Sequence, residues 1–151
     1  MKIAIGCDEA ALTMKNAVKE HLEKKGIEVT DMGAYDTNPS LYPDTAVKVC
    51  TEITEGRCER GMLFCGTGIG MAMTANKVPG IRAAVCHDPF STERSIKSND
   101  AQVLCMGARV IAPQLALYLI DIWLTCRFDG GPSQEKVERM SYYEARFSKN
   151  A

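Results

Sequence analysis

The sequence predicts an α/β fold in which five parallel strands form one sheet with helices on both faces. Apolar runs of strand length alternate with segments of helical period along the whole chain. The apolar runs are short and lack the polar alternation of half-exposed strands, which is typical of parallel strands buried on both faces. Because no composition shift, repeat or low-complexity tract divides the chain, we expect a single three-layer domain over residues 1–151.

The first half of the chain supplies three strands and three helices. Strands are predicted for the segments KIAIGC, IEVTDMG and GMLFC, at 2–7, 27–33 and 61–65. Helices are predicted for Ala10–Lys25, 42–56 and Gly70–Lys77. Gly26 and Gly56 are the expected stop signals of the first two helices, and Pro43 lies near the start of the second.

The second half continues the same alternation. Strands are predicted for GIRAAVC at 80–86 and AQVLCMG at 101–107, with a helix at 89–98 between them. A longer helix is predicted for Pro113–Arg127, and a C-terminal helix follows the segment DGG at about 132–147.

Composition excludes several classes of protein. The formal net charge is −1 and no cluster of lysine and arginine is present, so we expect no nucleic-acid partner. No apolar run reaches the length of a membrane span, and we expect no membrane partner. The apolar stretch at the start is too short for a secretory signal, so the predicted location is cytoplasmic.

Seven cysteines are scattered along the chain without any C-x-x-C spacing, and only two histidines are present. This pattern does not match a zinc site, so we expect no metal. In a reducing cytosol the cysteines are expected to be free thiols, and most of them small core residues.

Ligands of such sheets bind outside the carboxyl ends of the strands. The candidate site residues are therefore those that follow the predicted strands: Asp8 and Glu9, 35–42, 65–70, His87 and Asp88, and 107–109.

The segment CGTGIG at 65–70 is the most informative of these. Backbone N–H groups around Gly66, Gly68 and Gly70 would form an anion-binding cradle at the start of a helix. A dinucleotide site stays open as a partial match to G-x-G-x-x-G, with Met71 in the place of the third glycine and Asp88 at the spacing of a ribose-binding acid.

Cys65 lies immediately before this cradle, where N–H groups stabilise a thiolate. A thiolate base beside an anion hole suits removal of a proton next to a carbonyl, because the hole would hold the enediolate oxygen. Simple packing of Cys65 remains the alternative. Thr67 would either donate a hydrogen bond to the same oxygen or cap the helix that follows. Asp8 would either bind hydroxyls or cap its helix. His87 would either be catalytic or cap a loop.

These residues together resemble the ribose-5-phosphate isomerase B family, which includes the galactose-6-phosphate isomerase subunits. The resemblance extends over nearly the whole chain. It is carried by KIAIGCD at the start, YPD at 42–44, CGTGIG at 65–70, ANKVPGIRA at 75–83, the pattern from Asn99 to Val110, and FDGG at 128–131.

The resemblance implies a Rossmann-like fold and a homodimer with two interfacial sites, with the C-terminal helix against the partner. It implies cofactor-free and metal-free interconversion of an aldose and a ketose, usually phosphorylated. Cys65 would be the base, assisted by Thr67. The enediolate would be held by the loop residues Gly66, Gly68, Ile69 and Gly70. The sugar hydroxyls would be bound by Asp8, Tyr42 and Asn99.

The sequence departs from the family pattern at the expected phosphate and ring-opening positions. Glu9 and Ser98 replace histidines, while Pro132 and Lys136 replace arginines. Either Arg109 and Lys136, with Arg139, hold the phosphate in another way, or the substrate lacks a phosphate and Glu9 accepts hydroxyl hydrogens. His87 would replace the ring-opening histidine, unless the substrate is a tetrose phosphate, which does not form the usual ring.

The sequence therefore predicts an aldose–ketose isomerase of a small sugar phosphate, either the ribose-5-phosphate/ribulose-5-phosphate pair or a tetrose-4-phosphate pair. The alternatives are an isomerase of a non-phosphorylated sugar and a non-catalytic module that binds sugar or nucleotide phosphates. The expected assembly is a homodimer or a tetramer.

Overall fold

A computed structural model of the chain describes residues 1–148, so residues 149–151 of the predicted domain lie outside the described part. The strands within that range are β1 (Lys2–Cys7), β2 (Glu28–Asp31), β3 (Arg60–Cys65), β4 (Ala83–Val85) and β5 (Val103–Gly107). The α-helices are α1 (Leu12–Lys24), α2 (Tyr42–Thr54), α3 (Ile69–Ala75), α4 (Pro89–Lys97), α5 (Pro113–Thr125) and α6 (Gln134–Ser148). The predicted alternation of strands and helices is confirmed.

All five strands are parallel and lie in the order β2-β1-β3-β5-β4. β5 is inserted between β3 and β4, so that Cys65 at the end of β3 pairs with Gly107 at the end of β5. The carboxyl ends of β1, β3 and β5 are therefore neighbours. This edge of the sheet is where a ligand site of a doubly wound fold is expected.

Helices cover both faces of the sheet, which confirms the Rossmann-like three-layer sandwich. Met62 and Phe64 of β3 point to the face that α1, α4 and α5 cover, and Trp123 of α5 is fully buried there. Leu63 and Cys65 point to the opposite face, covered by α2 and α3. The alternation follows from the two-residue period of a strand.

Most predicted element boundaries differ from the observed ones by one to three residues, and three of them serve as examples. The first helix begins at Leu12 because the Asp8 side chain accepts a hydrogen bond from Ala10 N–H at 3.0 Å and caps a 3-10 turn at Glu9–Ala11. The second strand ends at Asp31, where a loop begins. The fourth strand begins at Ala83, since the N–H of Arg82 is bound by the Gln102 side chain at 2.8 Å instead of by a neighbouring strand.

The C-terminal helix α6 contacts the segment that precedes β4. Val137 of α6 is buried, and the Glu144 carboxylate accepts a hydrogen bond from Gly80 N–H at 3.0 Å. The packing of this helix on a partner subunit stays a prediction. None of the helices described over residues 1–148 is long and apolar enough to span a bilayer.

Candidate active site

A solvent-open cavity of about 240 Å³ lies at the carboxyl ends of β1, β3 and β5. Seven residues from four separate segments line it: Asp8, Tyr42, Cys65, Gly66, Thr67, Gly70 and Arg109. Each of them is a candidate from the sequence, and the fold brings them together because the three strands that carry most of them are adjacent.

Cys65 lines this cavity at the end of β3. The residue is only 5% exposed, and its Sγ accepts a hydrogen bond from Gly68 N–H at 3.0 Å. Its carbonyl accepts a second hydrogen bond from Ala108 N–H at 2.8 Å, which joins the end of β3 to the segment after β5. The positive end of the Gly68 amide dipole therefore faces the sulfur, an arrangement that suits a thiolate.

The other cysteines are core residues, as the sequence predicts. All seven are free and buried. Burial raises the pKa of Cys7 and of Cys50 to about 11, and it raises the pKa of Cys105 well above its ordinary value. Cys65 differs from these in lining the cavity.

The glycine loop after β3 packs directly on the end of β5. Gly68 has a φ of 78°, a left-handed conformation that favours glycine, and a Cβ there would lie 2.9 Å from the Met106 carbonyl carbon. A Cβ on Gly107 would lie 2.6 Å from the Thr67 Cα. Larger residues at these positions would push the loop away from the sheet.

This loop presents N–H groups to the cavity. Gly68 N–H is bound to the Cys65 sulfur, and Ile69 N–H is bound to the Thr67 Oγ1 at 3.2 Å. The N–H groups of Gly66 and Thr67 have no acceptor among residues 1–148. Because α3 has only seven residues, anion binding at this loop would depend on these individual N–H groups and not on a helix dipole.

Asp8 and Arg109 are the acidic and the basic residue of the cavity lining. Burial, followed by the charge of Glu9, raises the pKa of Asp8. Arg109 donates its backbone N–H to the Gly66 carbonyl at 3.0 Å, and its guanidinium lies against Gly66, 3.3 Å from the place of a Cβ. Arg109 is the only cationic side chain among the cavity-lining residues that the structure describes.

Tyr42 is the first residue of α2 and lines the cavity. Its phenol ring covers Gly70 so closely that a Cβ on Gly70 would overlap the ring. Tyr42 is 36% exposed and its hydroxyl reaches the cavity. Gly70 is thus required for the position of Tyr42.

Glu9 lies beside the cavity and is bound to the loop before α2. Its Oε2 accepts hydrogen bonds from Ser40 N–H at 3.2 Å and from Ser40 Oγ at 3.0 Å. Hydrogen bonds from its own backbone N–H and from Ser40 lower the pKa of Glu9. The carboxylate is therefore ionised and fixed at neutral pH.

His87 supports the loop from behind the cavity and does not line it. Its Nε2 accepts a hydrogen bond from Gly107 N–H at 2.8 Å, which requires the neutral ring with the proton on Nδ1. Burial lowers the pKa of His87, and the nearby Asp88 only partly opposes this. A catalytic role for His87 stays a prediction.

Three predicted site residues lie away from this cavity. Ser98 and Asn99 follow α4 at the amino-terminal edge of the sheet, where the Asn99 carbonyl accepts a hydrogen bond from Arg82 Nε at 3.2 Å. Lys136 is exposed in the first turn of α6. Within one chain these residues cannot join Cys65.

Sequence reasoning missed a buried ion pair next to the site. The Lys15 ammonium is 1% exposed and contacts Asp31 Oδ1 at 2.8 Å and the Ala34 carbonyl at 2.6 Å. It fixes the loop that leads from β2 to Tyr42. The available signal was a lysine within the apolar stripe of α1, between Met14 and Val18.

Metal ligands are not clustered in the described part of the chain. Over residues 1–148, no three histidine, cysteine, aspartate or glutamate side chains lie close enough together to hold a metal ion.

Comparison with known proteins identifies the family of this fold and site. The model of the Ribose/Galactose Isomerase family matches residues 3–140. The chain is 52% identical over 147 residues to the D-erythrulose-4-phosphate isomerase of Pectobacterium atrosepticum, with 95% of each chain covered. It is 53% identical over 140 residues to the ribose-5-P isomerase B of Listeria innocua, covering 93% of this chain and 95% of that one.

A solved structure agrees with these relatives. The ribose-5-phosphate isomerase B of Clostridium thermocellum superposes with a TM-score of 0.96 at 40% identity, over 97% of this chain and 99% of that chain. The sequence-based prediction of an aldose–ketose isomerase is thereby confirmed at the level of the enzyme class. With a family model over most of its length and relatives above half identity, the chain belongs to the ribose/galactose isomerase family.

Proposed function

We propose that the chain interconverts an aldose phosphate and its ketose by moving a proton between C1 and C2, with Cys65 as the base. The observation that supports this most directly is that Cys65 lines the same cavity as Asp8, Tyr42 and Arg109, while its sulfur accepts a hydrogen bond from Gly68 N–H at 3.0 Å. A dinucleotide site is not supported equally well, because a nucleotide pocket has no use for a thiol in this position.

The reaction follows from these groups. The Cys65 thiolate removes the proton from C2 of the open-chain aldose, and the electrons of the C–H bond shift until O1 carries the negative charge of an enediolate. The thiol then returns its proton to C1, while the proton of the O2 hydroxyl moves to O1 and C2 becomes the ketone carbonyl. The thiol proton can exchange with solvent before it is returned, and since aldose and ketose are isomers, this reaction needs no redox cofactor.

The glycine loop stabilises the enediolate in this mechanism. We assign the anion hole to the N–H groups of Gly66 and Thr67, which have no acceptor among residues 1–148. Thr67 Oγ1 already accepts the Ile69 N–H, so its own hydroxyl hydrogen is available to assist the transfer between O1 and O2. Asp8 and Tyr42 bind sugar hydroxyls, and Arg109 binds the anionic end group.

A second subunit completes the proposed site. Asn99, Ser98 and Lys136 lie away from the cavity of their own chain, so contributions from these residues require a homodimer in which each subunit serves the site of the other. Sedimentation velocity of the wild type tests this assembly, and a purely monomeric enzyme with full turnover would contradict it.

The proposed substrate class is a tetrose 4-phosphate or a pentose 5-phosphate. Relatives above half identity are named for each of these substrates, erythrulose 4-phosphate and ribose 5-phosphate. Ser98 in place of the ring-opening histidine of the resemblance favours the tetrose, because a tetrose 4-phosphate lacks the free hydroxyl that closes the usual ring.

Proton NMR in D₂O tests the proposal. The wild type, Cys65→Ala and the control Cys58→Ser would be incubated with erythrose 4-phosphate, ribose 5-phosphate, and free erythrose and ribose. Cys58 is an equally buried cysteine at the amino-terminal end of β3, so its variant controls for loss of a thiol elsewhere. We expect ketose formation with deuterium at the exchanged carbon in the wild type and Cys58→Ser, and neither in Cys65→Ala.

Three other outcomes decide against parts of the proposal. Preference for a free sugar would support the isomerase of a non-phosphorylated sugar. Absence of exchange with every sugar in the wild type would favour the binding module, and exchange retained in Cys65→Ala would exclude Cys65 as the base.

A further inference from the structure

The charges of Asp8, Glu9 and Arg109 do not balance. Asp8 and Arg109 both line the cavity, and Glu9 follows Asp8 in the same 3-10 turn. Because Asp8 and Arg109 line one small cavity and Glu9 is the next residue after Asp8, the three groups lie close together. The charge of Arg109 acts to lower the pKa of both carboxyls. Two carboxylates and one guanidinium leave a formal charge of −1 on these three residues.

Glu9 is held in place in this cluster. Its Oε2 accepts hydrogen bonds from both the N–H and the hydroxyl of Ser40, at 3.2 and 3.0 Å. The carboxylate would have to break both bonds to turn away from an incoming anion. Its charge is therefore a fixed part of the environment of Arg109.

We propose that Glu9 is a specificity residue that selects against a doubly charged end group beside Arg109 relative to a singly charged one. The proposal rests on the proposed function, in which Arg109 binds the anionic end of the sugar. It concerns sugars that end in a phosphate dianion or in a monoanion such as a sulfonate.

The physical argument is that a Coulomb energy is proportional to the product of the charges. For end groups of the same position and size, repulsion by Glu9 costs a dianion twice the free energy that it costs a monoanion. If removal of the Glu9 charge raises kcat/KM for the monoanion by a given factor, it should therefore raise kcat/KM for the dianion by the square of that factor. Cations from a partner subunit do not alter this relation, because they are the same in the wild type and in a Glu9 variant.

The experiment compares the wild type with Glu9→Gln and with the control Glu23→Gln. Glutamine keeps an oxygen that accepts the Ser40 bonds but removes the charge. Glu23 is an exposed acid near the end of α1, at the opposite edge of the sheet, so its variant has the same change in net charge.

The substrates are D-erythrose 4-phosphate and 4-deoxy-4-sulfo-D-erythrose, in which a sulfonate replaces the phosphate. Measured at pH 8, the phosphate is a dianion, since its second pKa is about 6. We expect Glu9→Gln to raise kcat/KM about fivefold for the sulfonate and about 25-fold for the phosphate, so the phosphate-to-sulfonate ratio rises about fivefold. Concentrated salt should reduce this change. If the sulfonate only inhibits, its inhibition constant replaces kcat/KM.

An unchanged ratio in Glu9→Gln would overturn the proposal, as would an equal change in Glu23→Gln. Failure of the wild type to isomerise any sugar would instead overturn the proposed function, so the two failures are distinguishable.

Discussion

Gly68 donates its backbone N–H to the sulfur of Cys65, with 3.0 Å between the nitrogen and Sγ. The contact depends on the left-handed backbone of Gly68 and on the close packing of this residue against Met106 of β5. The proposed base and its anion hole are therefore one rigid unit, held by the neighbouring strand.

Replacement of Gly68 by alanine tests this unit. The left-handed conformation costs an alanine about 1–2 kcal/mol, and the added Cβ also clashes with the Met106 backbone. We expect a lower free energy of unfolding and a fall in kcat on the order of 10²–10³, because a displaced loop would move the Gly66 and Thr67 N–H groups away from the enediolate. Chemical denaturation measures the free energy of unfolding, and steady-state kinetics measure kcat.

Gly26→Ala is the matched control for this variant. Gly26 has a similar φ of 74°, but a Cβ there would meet nothing within 4 Å. It should lose only the backbone contribution to stability and keep its turnover. Equal losses of kcat in the two variants would contradict the role of the Gly68 contact.

The buried pair of Lys15 and Asp31 should be strongly coupled. Asp31→Asn leaves the Lys15 ammonium buried without a countercharge, which costs about 3–5 kcal/mol of the free energy of unfolding. We expect the double variant Lys15→Met with Asp31→Asn to recover most of this loss. A double-mutant cycle by urea denaturation measures the coupling, with Glu20→Gln on the exposed surface of α1 as a control expected to change nothing. Additive losses would show that the two residues act independently.

The neutral His87 should make stability depend on pH. Its pKa in the folded protein lies below the ordinary value of about 6.5, so the unfolded chain takes up the proton first as the pH falls. The contribution of the neutral His87 ring to the free energy of unfolding is complete above pH 6.5 and is lost as the pH falls from there toward the lowered pKa. The loss is at most about 1.4 kcal/mol per pH unit, and it is smaller for this partly exposed ring.

His87→Gln tests this dependence, because a glutamine oxygen can accept the Gly107 N–H without titrating. Denaturation between pH 5 and 7 should show a shallower dependence on pH in the variant than in the wild type. Identical slopes in the two proteins would assign the pH dependence to other groups.

Arg109 should determine the affinity for an anionic end group. Arg109→Met removes the cation from the cavity-lining residues, and we expect KM for a sugar phosphate to rise at least about tenfold with a smaller change in kcat. The control Arg57→Met removes an exposed arginine that pairs with Glu52 on the far side of α2. A rise of KM in both variants would indicate a general effect of net charge.

Much of this molecule follows from local patterns in the sequence. The order of strands and helices, the parallel sheet and the position of Cys65 before a glycine loop are set by residues within a few positions of one another. The carboxyl-end rule for parallel sheets then names Asp8 and Arg109 as neighbours of that loop. Boundaries were less predictable, because side chains distant in sequence, such as Gln102 at Arg82, decide where a strand begins.

The sequence by itself determined which residues are candidates for the chemistry, whereas only the tertiary structure decided which of them meet. The insertion of β5 between β3 and β4 puts Gly107 and Arg109 beside Cys65, and the loop before α2 brings Ser40 to Glu9. It also places Asn99 at the opposite edge of the sheet from the cavity. The physical reason is that strand order and loop contacts arise from packing between segments far apart in the chain, which no local periodicity records.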